Sequence, residues 1–409
     1  MYKSHFSSWG FKKNTIRGHL GNRTVDSSRR TRPKRRVAPV SNVQSIVPVL
    51  RRPHLLPTLG PVAFRRQEVT VHVVSTFTHG LFESKGWSHD AFTIVPTSQA
   101  VDHGAQWADL DDRFFGASVL IERSSVSEGF ATLDSIFREM KPLVADNVSQ
   151  PAIMVEFWPI CHRIDGICRR VDDYNLMYAF LRYFRDLVGG YVGRKHPLFE
   201  LLDALSYVEQ RYMMPTLRLG YMKAIRCLES LIGADHAIVL NMWSNYVKYW
   251  DNQSINQEAF AANFTRLVEA AEARFGRCAR ETVRILHSFL YAMFYSSDDK
   301  RLAWKLAEDL VERTGSLLSI TQEIKWGVET LGFAFASKVL ALLSLDFGER
   351  DSFSTSLDRA IRRLKTGDRE CRTRAIMLSE DLETKLAQWG KQDEVEDYKR
   401  QRLALLETL

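Results

Sequence analysis

From Gln67 to the C-terminus, apolar residues return every three or four positions, the spacing that gathers them on one side of an α-helix. Asp172–Val192 places Met177, Phe180, Leu181, Phe184, Leu187 and Val188 on one face. Gln257–Phe275 places Phe260, Phe264, Leu267, Val268, Ala271 and Phe275 in a single stripe. The predicted helices fall in pairs: Trp107–Arg123 with Ser127–Ala145, Gln150–Arg170 with Asp172–Val192, and Leu198–Glu209 with Met214–Ile232, the last interrupted near Pro215. His236–Trp250 with Gln257–Phe275, Arg280–Tyr295 with Lys300–Glu312, Ile320–Leu345 with Ser352–Leu364, and Glu370–Trp389 with Asp393–Leu406 complete the series. The last pair is the most charged, as a solvent-facing end should be. A helix over Val69–Phe82 and an irregular loop to about Gln106 precede the pairs, and nothing after residue 106 alternates as a strand would.

A glycine followed by a few polar residues separates successive pairs: Gly193-Arg-Lys-His-Pro197, Gly233-Ala-Asp-His236, Gly276-Arg-Cys-Ala-Arg280, Gly315-Ser316 and Gly367-Asp368, with a degenerate copy at Ala145-Asp146. Glycine suits the left-handed position just past a helix end. The spacings of 40, 43, 39 and 52 residues lie close to the period of two-helix solenoid repeats. The pattern predicts an all-α fold, a helical-hairpin repeat array of tetratricopeptide-like α-solenoid type, with a compact irregular α-bundle as the alternative. The glycine–polar–His-Pro link loosely resembles that of kinesin-light-chain repeats.

Charge divides the 409 residues unevenly. Residues 1–66 hold 15 Lys/Arg and a single acidic residue, Asp26, so this arm carries +14 within a net charge of +7 and the remainder carries −7. Six of the twelve prolines fall between Pro33 and Pro61, and helical periodicity is missing there. The expected organisation is a short aromatic and basic segment (1–17), a disordered basic linker (18–66), a helix plus loop (67–106) and a helical repeat domain (107–409). Five scattered cysteines form no disulfide framework and point to a reducing compartment. With no apolar signal-peptide core at the start and no uninterrupted apolar run of spanning length, an intracellular protein without membrane contact is expected.

Arg29, Arg30, Arg32, Lys34, Arg35 and Arg36 put six cations into eight residues. Such a run reads as a nuclear localisation signal or a nucleic-acid-contacting arm, against the plainer reading of a solvated linker. The Arg- and Ser-bearing, acid-poor start also has the composition of a mitochondrial transit peptide, although its prolines interrupt amphipathic helices.

The first residues carry a resemblance. Tyr2, Lys3 and Phe6, followed by Trp9-Gly10-Phe11-Lys12-Lys13-Asn14, resemble the end of the fungal cryptic-loci-regulator (Clr, number five) domain. In that family a small helical domain, regarded as helix-turn-helix-like, is followed by a basic low-complexity linker and a helical body. The resemblance implies a nuclear role in silencing chromatin loci. It covers about 14 residues by motif, and Met1 falls inside the domain, so its upstream helices are expected to be missing. By its own chemistry the segment can contact phosphates and stack on bases, without sequence readout.

Other candidate chemistry reads as structural. Cys161-His162 and Cys168 lack the second ligand pair of a zinc site and read as buried thiols. Asp109, Asp111 and Asp112 read as favouring a helix N-terminus, and Glu380, Asp381 and Glu383 as a solvated face. The tryptophans read as packing residues, one or two lining a concave groove. No phosphate loop, dinucleotide fingerprint, zinc-protease helix or nucleophile elbow is present, and no cofactor is expected. The expected function is a non-enzymatic regulatory scaffold, its repeats binding protein partners and its arm contacting DNA or chromatin. An RNA-binding α-solenoid with an organellar address is the alternative. An enzyme would need a closed pocket with converging perturbed titratable groups, to which nothing in the sequence points.

Overall fold

A computed structural model describes residues 62–83, 87–97, 104–122, 125–146, 151–250, 256–297, 300–320 and 324–409. Tyr2–Asn14 and Arg29–Arg36 lie outside them. Residues 62–409 form one compact unit.

Fifteen helices occur among the described residues, with one short hairpin of strands: α1 Val62–Glu83, β1 Trp87–His89, β2 Ile94–Pro96, α2 Gly104–Glu122, α3 Val126–Asp146, α4 Pro151–Val171, α5 Asn175–Tyr191 and α6 Pro197–Ser206. They continue with α7 Gln210–Ile232, α8 Ala237–Tyr249, α9 Gln257–Phe275, α10 Arg280–Ser296, α11 Lys300–Ile320, α12 Val328–Asp346, α13 Arg350–Leu364, α14 Arg369–Gln388 and α15 Gln392–Leu406. The protein is a helical-hairpin array, and its apolar stripes are the buried ones. In α5, Met177, Phe180, Leu181, Phe184 and Val188 are buried, as are Phe260, Phe264, Leu267 and Ala271 in α9.

The glycine links share one geometry at three places. Gly193, Gly233 and Gly276 have φ of +89°, +99° and +100°, a region costly for any other residue. Three residues on, the backbone N–H of His196, His236 or Ala279 donates to the glycine carbonyl at 3.3, 3.4 or 3.2 Å. His196 and His236 then cap the next helix, Nδ1 accepting from the N–H of Leu198 and Ile238 at 3.2 and 3.1 Å. Burial lowers both imidazole pKa values, which suits an accepting, neutral ring.

Several expected boundaries move. Gly315 lies inside α11, and Gly367 lies in a link without positive φ, whereas Gly348 and Gly390 take the left-handed role at φ +79° and +74°. The helix expected from Ile320 begins at Val328, after a non-helical Ile324–Gly327 segment. Pro215 interrupts nothing: it sits six residues into α7, where its missing N–H removes a single helical bond.

The linker expected to reach Arg66 gives way to helix at Val62. Thr70 and Thr78 complete the buried stripe of α1 with Val73, Val74, Phe77 and Leu81, their hydroxyls returned to the Arg66 and Val74 carbonyls at 2.9 and 2.8 Å. The expected Val69–Phe82 helix lies within α1, which starts earlier. The expected irregular loop contains β1 and β2, paired antiparallel with Ser88 opposite Val95. Strands of three residues are too short to show alternation.

Packing departs from a simple succession of pairs. Helix α1 packs on both α6 and α7, placing it in the body with the repeats. Helix α4 touches α1, α2, α5, α7 and α8 and is buried on most sides. Helix α14 packs on α2 as well as on α13 and α15, so late and early parts of the array meet. Helix α15 packs on α14 and buries only Val395, as expected of a solvent-facing end. Among the described residues α12 alone is long and apolar enough to cross a membrane; here it packs against α10, α11 and α13.

Candidate functional site: a buried polar centre

Where α14 meets α2, five helices turn polar residues toward a common interior. Helix α2 contributes Asp111, Asp112 and Phe115; α4 contributes Glu156, His162 and Arg163; α8 contributes Lys248 and Tyr249. Helix α10 contributes His287, Tyr291 and Tyr295, a stripe at helical spacing, and α14 contributes Arg374.

The side chains form one connected cluster. The Arg163 guanidinium lies 4.6 Å from the centre of the Phe115 ring and 5.2 Å from that of Tyr249. Arg374 lies 3.9 Å from the same Phe115 ring and 4.8 Å from Trp326, and its Nη2 donates to the Asp112 carbonyl at 3.1 Å. His162 stacks on Tyr249 at 4.1 Å and meets Trp250 edge-on at 5.6 Å. Lys248 Nζ sits among Tyr249, Tyr291 and Tyr295 at 5.4, 4.4 and 5.3 Å from their ring centres, ringed by aromatic faces. Phe335 of α12 closes that side, 5.1 Å from Tyr291 and 5.2 Å from His287.

The Ile324–Gly327 segment is held in place by Asp368. Its Oδ2 accepts from the Trp326 backbone N–H at 2.7 Å, its Oδ1 caps α14 through Cys371 N–H at 3.0 Å, and its own N–H donates to the Ile324 carbonyl at 3.0 Å. Trp326 is thereby fixed beside Arg374.

Burial shifts the titrations strongly. Glu156 is pushed up to about 8 by desolvation, reinforced by Asp111 and Asp112, and is therefore protonated at neutral pH. Asp112 is raised to about 6 by burial, against the pull of Arg374. Desolvation lowers His162 to about 3 and His287 to about 4, so both rings are neutral. Lys248 falls well below its ordinary value, first through burial and then through Arg163.

Polar atoms here are left unpaired among the described residues. They include Arg163 Nε, Arg374 Nη1, Asp111 Oδ1, His287 Nε2 and the indole nitrogens of Trp250 and Trp326. Asn245 and Tyr291 approach the Tyr221 and Tyr249 hydroxyls, and the Asp112 carboxyl approaches the Trp326 indole N–H, without closing hydrogen-bond geometry. The centre is not sealed: Arg163 and Asp111 keep 13% and 15% of their side chains exposed, and Tyr295 is 36% exposed. Such a set can donate hydrogen bonds, neutralise an anion and stack on a flat group.

The residues singled out from sequence fare differently. Asp111 and Asp112 lie beyond the first turn of α2 and join this centre; Asp109 approaches Arg113 at 3.9 Å. Glu380, Asp381 and Glu383 are no solvated face. Asp381 pairs with Lys338 at 2.6 Å, and Glu383 takes Arg402 through both oxygens at 2.8 and 3.1 Å, with Glu380 3.1 Å from the same arginine. These pairs tie α14 to α12 and α15. Cys161 and Cys168 are buried free thiols with raised pKa values, desolvation being the main cause. Among the described residues no three His, Cys, Asp or Glu side chains are grouped as metal ligands. Trp107, Trp158 and Trp243 are core residues, whereas Trp250 and Trp326 belong to the polar centre.

No protein-family model, curated protein or solved structure matches the chain. The functional reading therefore rests on the residues and their arrangement.

Proposed function

We propose that the protein is a non-enzymatic regulatory scaffold of the fungal nucleus, acting in transcriptional or chromatin silencing. Its helical body docks protein partners, and its arm provides nuclear entry and contact with DNA or chromatin. The observation that carries the reading is the separation of charge: six cations in residues 29–36, on an arm (residues 1–61) of +12, precede a hairpin array (residues 62–409) of net −5. An arm so charged is drawn to polyanions and import receptors, while an acidic array is repelled by them. The Tyr2–Asn14 resemblance supports the same direction.

The test is to change Arg29, Arg30, Arg32, Lys34, Arg35 and Arg36 to Gln in a fluorescently tagged chain. Loss of nuclear accumulation, with loss of a steeply salt-dependent DNA affinity, is expected. Mitochondrial accumulation of the unaltered chain, or RNA binding retained by residues 62–409 alone, would instead establish the organellar RNA-binding alternative.

A further inference from the structure

A buried arginine ordinarily has its donors met, and this protein shows how. Arg313 of α11, 6% exposed, is held by Asp309 and Glu272 at 2.5 and 2.6 Å and by the Arg277 carbonyl at 3.0 Å. Arg163 has one carboxylate contact, Asp111 at 3.5 Å, and its Nε is unpaired. Arg374 is 3% exposed, and its Nη1 is unpaired. Leaving such groups without partners is expensive, and native proteins do so where something else is to be bound.

The kind of atom left over indicates what is bound. Four unpaired atoms of the centre can only donate: Arg163 Nε, Arg374 Nη1, Trp250 Nε1 and Trp326 Nε1, the last approached by the Asp112 carboxyl without closing hydrogen-bond geometry. One, Asp111 Oδ1, can only accept. The complement is an acceptor-rich group. Around the donors stand ring faces: Phe115 beneath both arginines and Tyr249 beneath Arg163, with Tyr291 beyond Lys248.

We infer that this centre binds a small organic anion with a flat unsaturated or aromatic body, its carboxylate or phosphate on Arg163, Arg374 and Trp326. The aromatic faces take the flat part, and entry is past Tyr295, the most exposed ring of the centre. An anion there also favours the charged form of Lys248, which burial first, and then Arg163, drive toward the neutral form. The inference is independent of the nuclear reading, because it concerns only residues of the helical body.

Titration calorimetry on the full chain tests it with four matched probes: benzoate, phenyl phosphate, benzyl alcohol and benzylamine. Saturable binding of benzoate or phenyl phosphate, with neither the alcohol nor the amine binding comparably, is expected. The better of the two anions identifies the headgroup. Arg374→Met should weaken that binding about tenfold or more, since a charge-assisted bond is lost. Trp326→Phe keeps the ring and removes one donor, and should weaken binding several-fold with an unchanged melting profile. It also decides the matter if Arg374→Met does not fold. Binding of benzylamine or benzyl alcohol equal to that of the anions overturns the inference. So does the absence of saturable binding of either anion, or an affinity indifferent to Trp326→Phe; the unpaired donors then hold water only.

Discussion

The Arg374 guanidinium donates to the backbone carbonyl of Asp112 at 3.1 Å, across 262 residues of sequence. This bond joins α14 to α2 and places a buried cation beside a carboxyl raised to about 6. Removing the cation with Arg374→Ala strips Asp112 of its main compensating charge. The variant should lose about 3 kcal/mol of stability in urea unfolding, and the Asp112 pKa should rise further. A loss within the range of ordinary surface substitutions would mean that the α14–α2 junction contributes little.

Asp368 serves two segments with two oxygens. Asp368→Ala removes the α14 cap and the Trp326 anchor together and should cost about 2 kcal/mol. Asp368→Asn keeps one accepting oxygen, able to cap Cys371, but presents an amide to the Trp326 N–H. It should recover roughly half of that loss while leaving the indole environment altered. Thermal melts read the first quantity and tryptophan fluorescence the second.

Glu156 fixes a pH dependence. Its folded pKa of about 8 lies above its ordinary 4.5, so the native state holds a proton that the unfolded chain releases. This contribution is fully present below pH 4.5 and is lost as pH rises toward 8, by at most about 1.4 kcal/mol per pH unit. Glu156→Gln keeps the neutral form at every pH. It should therefore raise the melting temperature at pH 9 relative to the unaltered chain, with the gain shrinking to nothing by pH 4.5. A pH-independent difference would place Glu156 outside the buried centre.

His162 and His287 act in the opposite sense. Their folded pKa values of about 3 and about 4 lie below the ordinary 6.5, so the unfolded chain gains protons first as pH falls. Stability should decline below pH 6.5 on their account. A His162→Phe, His287→Phe double variant should be less sensitive to acid between pH 6.5 and 4 than the unaltered chain. Equal acid sensitivity in chemical denaturation would show that the rings are charged in the fold.

Two helix glycines should respond oppositely to alanine. A Cβ on Gly220 of α7 would lie 2.3 Å from the rim of the fully buried Trp158 ring of α4, so Gly220→Ala should cost about 2 kcal/mol or more. Gly166 of α4 has open space at that position, and Gly166→Ala should gain about 0.5 to 1 kcal/mol. Melting temperatures of the two variants against the unaltered chain check both.

Much of the helical array was legible in the residue order. Periodicity found most helices to within a few residues, because each must bury a stripe somewhere, and the stripes of α5 and α9 are the buried ones. The links at Gly193, Gly233 and Gly276 were equally local, since positive φ is a property of one residue and its neighbours. Where a glycine sat inside a continuous stripe, as Gly315 does in α11, spacing alone misled.

What only the tertiary structure decided is where the polar faces point. Asp111, Glu156, Lys248, His287 and Arg374 are single polar positions in their helices, and along one chain such a position is indistinguishable from a solvated one. They became an interior when α14 packed on α2 around α4, a contact between segments 262 residues apart that no local pattern records. Periodicity tells which residues a helix hides from water. Only packing tells whether the remaining residues face solvent or one another.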